Sequence, residues 1–144
     1  MIRLTRRYRF SASHRLHAPA LSDAANRELY GKCNYPYGHG HNYEIEVSVR
    51  GPLDARTGRA VDPERLDGLV RAQVLDLFEH RNLNLEVEVF RRVVPTSENL
   101  GLEISRRLKQ NWPQAFPGGR PRLEKVRIAE TSRNGFEIFE HEIQ

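Results

Sequence analysis

The sequence predicts an α+β fold in which two helices cover one face of an antiparallel sheet. Residues 2–16 and 41–50 alternate polar and apolar side chains with a period of two, which is typical of half-buried strands. Two later segments, beginning near residues 62 and 96, space their apolar residues as amphipathic helices do. The strands follow one another along the chain, which favours antiparallel pairing. The uncovered face of the sheet is expected to meet water, a ligand or another subunit.

Length and composition suit one domain that spans residues 1–144. The chain has 144 residues, of which 38% are hydrophobic and 29% charged, so its core is thin and self-association would help it. No apolar run approaches the roughly 20 residues of a membrane helix. The charged N-terminus has no apolar signal-peptide core. Cys33 is the single cysteine, which excludes an internal disulfide, and we expect a cytoplasmic protein without a membrane partner.

The net charge of +4 indicates an anionic partner without selecting one. Four of the basic residues crowd the N-terminus: Arg3, Arg6, Arg7 and Arg9. They fit the solvated face of a first strand better than a nucleic-acid surface, because no recognition motif for nucleic acid accompanies them. We therefore expect no nucleic-acid partner.

Each of the first two predicted strands has one apolar face, and shorter strands are expected later in the chain. The apolar face of the first carries Phe10, Ala12, His14 and Leu16. The apolar face of the second carries His41, Tyr43, Ile45, Val47 and Val49. A turn at residues 54–58 leads to a short returning strand near 59–61. Residues 123–143 are expected to hold two strands joined by a hairpin turn at 132–135.

Both predicted helices have a recognisable start. Asp62 is the expected N-cap of the first helix, with Pro63 in its first position. Its apolar stripe consists of Leu66, Leu69, Val70, Val74, Leu77 and Phe78. The second helix is expected to begin at Thr96 or Ser97 and to end near Asn111, before a proline. Residues 80–94 are predicted to be mostly loop.

Three histidines predict a metal site. His39 and His41 lie two residues apart at the start of a strand, so both rings share one face and are able to bind one ion. His14 would be the third ligand if its strand pairs with theirs. Three imidazoles with an open position form a catalytic zinc site. The alternative is a set of ordinary histidines, but the flanking glycines and the nearby Cys33 favour a metal.

Three further residues carry chemical interest. Cys33 would be either a fourth ligand of a structural site or an acid/base thiol beside an open one, and Lys32 and a nearby cation would lower its pKa. His80 follows the first helix and, taken alone, is a C-terminal capping histidine. Glu130 ends an apolar strand face, where a carboxylate needs a partner. That partner would be an arginine or a ligand with two parallel N–H donors.

Five motifs in order resemble the 6-pyruvoyltetrahydropterin synthase family. They are Phe10-Ser-Ala-Ser-His14, Gly31-Lys-Cys33-Asn-Tyr-Pro-Tyr-Gly-His39-Gly-His41-Asn-Tyr43, Glu79-His80-Arg-Asn-Leu-Asn84, Pro95-Thr-Ser-Glu98-Asn99 and Ala129-Glu130-Thr131. The resemblance runs from about residue 8 to the C-terminus, and the stretch from Cys33 to Tyr43 is its most specific part.

The resemblance implies a tunnelling fold, with a four-stranded antiparallel sheet and two helices. Three subunits would close a barrel, and two trimers would stack into a homohexamer. The implied substrate is 7,8-dihydroneopterin triphosphate. The implied zinc ligands are His14, His39 and His41. The other implied site residues are the acid/base thiol Cys33, the relay histidine His80 with Glu79 beside it, the pterin-anchoring Glu130, and the substrate-binding Thr96, Ser97 and Glu98.

The implied reaction is a lyase reaction that loses triphosphate and forms 6-pyruvoyltetrahydropterin for tetrahydrobiopterin biosynthesis. The related 6-carboxy-5,6,7,8-tetrahydropterin synthases of queuosine biosynthesis use the same substrate. Five residues separate Cys33 from His39, as in the pyruvoyl-forming branch, whereas Pro95-Thr-Ser-Glu98 is similar to the carboxy-forming branch. Glu79 replaces the family's usual aspartate. The remaining alternatives are a non-enzymatic zinc-binding domain and a basic nucleic-acid-binding module.

Overall fold

Four antiparallel strands form one sheet in the order β1-β2-β3-β4. The computed structural model describes residues 1–143. Its strands are β1 (Ile2–His14), β2 (His39–Gly51), β3 (Arg122–Ala129) and β4 (Phe136–Phe139). The predicted α+β class is confirmed, and residues 130–135, which include the predicted turn positions, connect the last two strands through bends.

The helices lie in the connections between these strands. They are α1 (Asp23–Tyr30), α2 (Pro63–Val70), α3 (Leu83–Glu86) and α4 (Ser97–Ala115). A π-helical segment, Arg71–Leu75, and a short turn, Asp76–Phe78, continue α2 without a break. Asp62 caps α2, as predicted, and Thr96 caps α4, because their side-chain oxygens accept backbone N–H groups of the first turn. Among residues 1–143, no helix is long and apolar enough to cross a bilayer.

The hydrophobic core lies between one face of the sheet and the helices. The strand β2 contributes Tyr43, Ile45, Val47 and Val49, which are at most 1% exposed. The helices contribute the fully buried Leu66, Val70, Leu100, Ile104 and Leu108. Each buried aliphatic side chain stabilises the fold by about 1.5–3 kcal/mol. The period-two pattern of the sequence therefore assigned the core face of the first two strands correctly.

The opposite face of the sheet carries ion pairs. Glu46 accepts hydrogen bonds from Arg7 at 3.0 Å and from Arg127 at 3.3 Å. Glu44 pairs with Arg9 at 3.2 Å. Exposed pairs of this kind each contribute about 0–1 kcal/mol. The N-terminal arginines thus have carboxylate partners within the chain, which agrees with a solvated strand face.

Three strand predictions were wrong in extent. No strand forms at 59–61, where the only pairing is an isolated bridge between Asp54 and Arg59 across a tight turn. The first strand stops at His14, because the backbone N–H of Leu16 bonds instead to the carbonyl of Cys33. The last strand stops at Phe139 and is followed by a 3₁₀ turn, Glu140–Glu142.

The helix predictions missed two elements and one boundary. The α1 helix lies between β1 and β2, and α3 lies within the segment 80–94. Helix α4 continues through Pro113 to Ala115, because Trp112 buries its ring beside Phe116 and donates from Nε1 to the carbonyl of Pro121. These tertiary contacts outweigh the helix-breaking tendency of proline so near the helix end.

Candidate metal centre and the adjoining carboxylate

The paired ends of β1 and β2 bring three histidines together. His14 is opposite His39 in the strand register, and His41 follows on the same face. The ring centroids of His39 and His41 are 4.2 Å apart, and those of His14 and His41 are 4.6 Å apart. The pleat of one strand thus places two imidazoles side by side, and antiparallel pairing supplies the third.

Cys33 joins these histidines from a 3₁₀ helix, Gly31–Asn34. Its Sγ lies 3.0 Å from Nε2 of His39 and 4.0 Å from Nε2 of His41. One ligand atom from each of the four residues lies within 4.8 Å of the others. Nitrogen and sulfur donors at this spacing fit a zinc ion better than a hard cation that prefers oxygen.

His14 is held with one nitrogen facing the cluster. Its Nδ1 lies 3.0 Å from the carbonyl oxygen of Pro95, which only accepts hydrogen bonds, so Nδ1 carries the proton. The hydroxyl of Tyr43 lies 3.0 Å from the same nitrogen. The other nitrogen, Nε2, is buried and has no hydrogen-bond partner among residues 1–143. A buried, unpartnered lone pair aimed at other donors is what a metal ligand requires.

The surroundings of His14 favour its neutral form. Burial, together with the neighbouring His41, lowers the pKa of His14 to about 4. Burial, together with Glu130, raises the pKa of the Cys33 thiol. The expectation that Lys32 lowers the pKa of Cys33 is therefore not met, since burial and a nearby carboxylate dominate. A bound divalent cation would act in the opposite direction.

Glu130 follows the last residue of β3 and reaches the same cluster. Its Oε1 is 2.9 Å from Nε2 of His41, and its Oε2 accepts a 2.7 Å hydrogen bond from the hydroxyl of Ser97. Burial alone would raise the pKa of Glu130, but these two hydrogen bonds outweigh burial and lower it to about 2. Within the described residues the carboxylate thus has a histidine and a serine as partners, and not the arginine that the sequence offered as one alternative.

The two neighbours of Ser97 have different surroundings. Thr96 uses its hydroxyl oxygen to accept the backbone N–H of Asn99, which caps α4. Glu98 is exposed in the first turn of the helix. The structure therefore brings only the serine of the three expected substrate-binding residues into contact with the carboxylate.

His80 lies outside the cluster of four ligand atoms. It follows the helical segment Asp76–Phe78 and Glu79, and has a left-handed backbone with φ of 59°. Its backbone N–H donates to the carbonyl of Ser11 at 2.6 Å, and its side chain is 79% exposed. Together with His41 it lines a cleft of about 410 Å³ where β1 and β2 pair near their ends.

Glu79 ties His80 to the sheet. One carboxylate oxygen accepts the backbone N–H of Ser11 at 3.0 Å, and the other lies 2.9 Å from Nε2 of His80. The same side chain therefore satisfies an N–H on the edge of β1 and orients the imidazole.

The sequence reasoning missed the supports of the candidate metal ligands. Tyr43 had a usable signal, because it follows His39 and His41 on the same face of the strand. The carbonyl of Pro95 and the hydroxyl of Ser97 had none, since their contacts join segments far apart in the chain.

Comparisons with known proteins agree on one family. The sequence profile described as 6-pyruvoyl tetrahydropterin synthase matches residues 3–141. The 6-pyruvoyl tetrahydrobiopterin synthase of Drosophila melanogaster is 44% identical over 133 residues, which cover 91% of this chain and 75% of the relative. The human protein of the same name is 39% identical over 131 residues, which cover 91% of this chain and 86% of the human protein. The structure of the Caenorhabditis elegans 6-pyruvoyl tetrahydropterin synthase aligns with a TM-score of 0.84 and 40% identity, covering 96% of this chain and 94% of that one.

Proposed function

The chain belongs to the 6-pyruvoyl tetrahydropterin synthase family, and from this premise we propose that it is a zinc-dependent lyase that converts 7,8-dihydroneopterin triphosphate to 6-pyruvoyltetrahydropterin with loss of triphosphate. The resemblance that the motifs predicted is thereby confirmed. The observation that carries the proposal is the convergence of three histidines, one thiol and one carboxylate at the paired ends of β1 and β2.

His14, His39 and His41 are the proposed zinc ligands. Three imidazoles leave one coordination position for the substrate, which is the arrangement of catalytic zinc sites. Zinc, when bound, supplies a Lewis acid that makes hydroxyl and adjacent C–H groups of the substrate side chain more acidic. The low pKa of His14 suits this role, since a protonated imidazole cannot bind a metal.

Glu130 is the proposed anchor for the pterin ring. Its carboxylate is ionised at neutral pH and is able to accept two parallel N–H donors, such as those of the 2-amino-4-oxo edge of a pterin. The hydrogen bond from Ser97 and the contact with His41 fix the rotation of the carboxylate, and the lone pairs that these two partners do not use are left for the ring. The anchor thus orients the substrate relative to the histidines.

Cys33 is the proposed acid/base group. Its Sγ lies beside the histidine nitrogens, where the substrate side chain would lie. As a thiolate it would remove a carbon-bound proton, and return of a proton at the ring would complete an internal redox shift without nicotinamide. Elimination of triphosphate then makes the enzyme a carbon–oxygen lyase acting on phosphates.

His80, oriented by Glu79, is the proposed relay partner of a thiol in a neighbouring subunit. This assignment is supported by the exposure of its ring and by its position outside the cluster of its own chain. The strands β1 and β4 are the edges of the sheet, and their pairing between subunits would close a barrel. We propose a hexamer built from two trimers, with active sites at subunit interfaces.

The runner-up function is a 6-carboxy-5,6,7,8-tetrahydropterin synthase of queuosine biosynthesis, which uses the same substrate. The Pro95-Thr-Ser-Glu98 motif favours it. The pyruvoyl-forming function is supported by the spacing between Cys33 and His39 and by the names of relatives that are 39% and 44% identical.

One incubation tests the function. Zinc-loaded protein is mixed with 7,8-dihydroneopterin triphosphate, and the pterin product is identified by mass. Formation of 6-pyruvoyltetrahydropterin together with inorganic triphosphate supports the proposal. Formation of 6-carboxytetrahydropterin supports the runner-up, and an unchanged substrate contradicts both. Light scattering at micromolar concentration tests the assembly, and a monomer contradicts it.

A further inference from the structure

The loop that carries Cys33 is tied to the chain just after β1. The backbone N–H of Leu16 donates to the carbonyl of Cys33 at 2.7 Å. The next residue, Asn34, donates from its side-chain amide to the carbonyl of Leu16, also at 2.7 Å. The backbone N–H and carbonyl of Leu16 thus bind Cys33 and Asn34, the first two residues of the segment 33–38, which we call the thiol loop.

Asn34 makes this attachment from a buried position. The residue is 5% exposed, and its amide nitrogen also lies 3.1 Å from Nδ1 of His17. Its own carbonyl accepts from Nε of Arg15 at 3.1 Å. Removal of the Asn34 amide would leave the carbonyl of Leu16 without this hydrogen bond. An unsatisfied group of this kind typically costs about 1–3 kcal/mol of stability. The attachment is therefore specific to this side chain.

A second contact fixes the other end of the loop. Gly38 has a φ of 64°, and a Cβ at this position would lie 2.0 Å from the carbonyl oxygen of His14. The loop is thus pressed against the end of β1 immediately before His39. The segment from Cys33 to Gly38 is thus held at both ends, at Cys33 by the bond from Leu16 and at Gly38 by the close approach to His14.

We propose that Asn34 is a positioning residue for Cys33, because its amide clamps the thiol loop to Leu16 and so holds Sγ beside His39 and His41. This inference rests on the proposed function in that it takes Cys33 as the group that moves a proton. The side-chain hydrogen bonds of Asn34 go to Leu16 and His17, so the residue acts through the position of the loop.

The chain offers a matched control in Asn26. Its side chain is fully buried, binds the backbone of Ala18, Leu21 and Ser22, and lies in the same connection between β1 and β2. It holds a different part of that connection and makes no hydrogen bond to the thiol loop. Loss of Asn26 therefore reports the cost of removing a buried amide without releasing Cys33.

The experiment compares Asn34→Ala, the isosteric Asn34→Asp and the control Asn26→Ala in the zinc-loaded, full-length protein. Cys33 is the only cysteine, so the rate of alkylation by iodoacetamide reports this thiol alone. In both Asn34 variants we expect alkylation to be at least 5-fold faster and kcat to be 10- to 100-fold lower, with KM and zinc content within 3-fold of wild type. In Asn26→Ala we expect the alkylation rate and kcat to stay within 3-fold of wild type.

Three outcomes would overturn the inference. The first is an unchanged alkylation rate in both Asn34 variants. The second is an equal effect of Asn26→Ala, which would show a general loss of structure. The third is faster alkylation with unchanged kcat, which would make the clamp irrelevant to the reaction. If wild type has no activity, the proposed function fails, while the alkylation comparison still decides whether Asn34 holds the thiol. If Asn34→Ala does not fold, Asn34→Asp carries the same comparison.

Discussion

The hydroxyl of Ser97 donates a 2.7 Å hydrogen bond to Oε2 of Glu130, and this bond joins the first turn of α4 to the end of β3. Two residues earlier, the carbonyl of Pro95 lies 3.0 Å from Nδ1 of His14. One short segment before and at the start of a helix therefore contacts both the proposed pterin anchor and a proposed metal ligand. This placement explains why the motif Pro95-Thr-Ser-Glu98 belongs to the site, although it has no strong chemistry of its own.

Substitution Ser97→Ala is expected to weaken pterin binding. Loss of a hydrogen bond to a charged group costs about 1.5 kcal/mol, which corresponds to an increase of roughly 10-fold in KM. Ser105→Ala is the control, because Ser105 is also buried in α4 but its hydroxyl has no hydrogen-bond partner in the part of the chain that the structure describes. Steady-state kinetics and titration of a fluorescent pterin measure both variants. An equal KM in Ser97→Ala and wild type would contradict the role assigned to Ser97.

Substitution Tyr43→Phe is expected to weaken zinc binding. The hydroxyl of Tyr43 helps to fix the ring of His14, and loss of such a support typically costs about 10-fold or more in metal affinity. Tyr8→Phe is the control, since the hydroxyl of Tyr8 bonds to Asp67 and not to a proposed ligand. Competition with a chromogenic chelator measures the zinc dissociation constant. Equal losses of affinity in the two variants would remove the basis of this prediction.

Substitution Cys33→Ala is expected to abolish turnover and to leave zinc content and melting temperature unchanged. In the enzyme hypothesis the thiol lies near the metal, and the three histidines suffice to hold it. In the structural hypothesis the thiol is a fourth ligand, so its loss would lower zinc content and melting temperature together. His39→Ala is the reference for lost zinc. Retained turnover in Cys33→Ala would defeat the proposed chemistry.

Acid is expected to destabilise the metal-free protein through His14. Its pKa is about 4 in the folded protein and about 6.5 in an unfolded chain. Between pH 6.5 and pH 4, His14 is therefore protonated in the unfolded state and neutral in the folded state. The free energy of unfolding thus falls as the pH falls from 6.5 towards 4. The loss at pH 4.5 is at most about 3 kcal/mol. Urea unfolding at pH 7.5 and 4.5, with chelator present, should show a smaller loss in His14→Gln than in wild type.

Much of the fold was predictable because it depends on local patterns. The alternation in β1 and β2 assigned the core face, and Asp62 and Thr96 marked the helix starts. The errors lie where long-range contacts overrule local preference. Helix α4 passes through Pro113 because Trp112 and Phe116 bury their rings together, and the first strand ends early because Leu16 bonds to the thiol loop.

For the candidate site, the sequence by itself determined which chemical groups are present. Two histidines at i and i+2, one cysteine and one carboxylate on an apolar strand are local facts of spacing. Only the tertiary structure decided how they are supported. Pro95 orients His14, Ser97 orients Glu130, and Asn34 holds the loop of Cys33 against Leu16. Each of these bonds joins segments that are 18 to 81 residues apart. Strand periodicity repeats every two residues and helix periodicity every 3.6, so neither pattern carries information over such distances, and only packing brings these partners together.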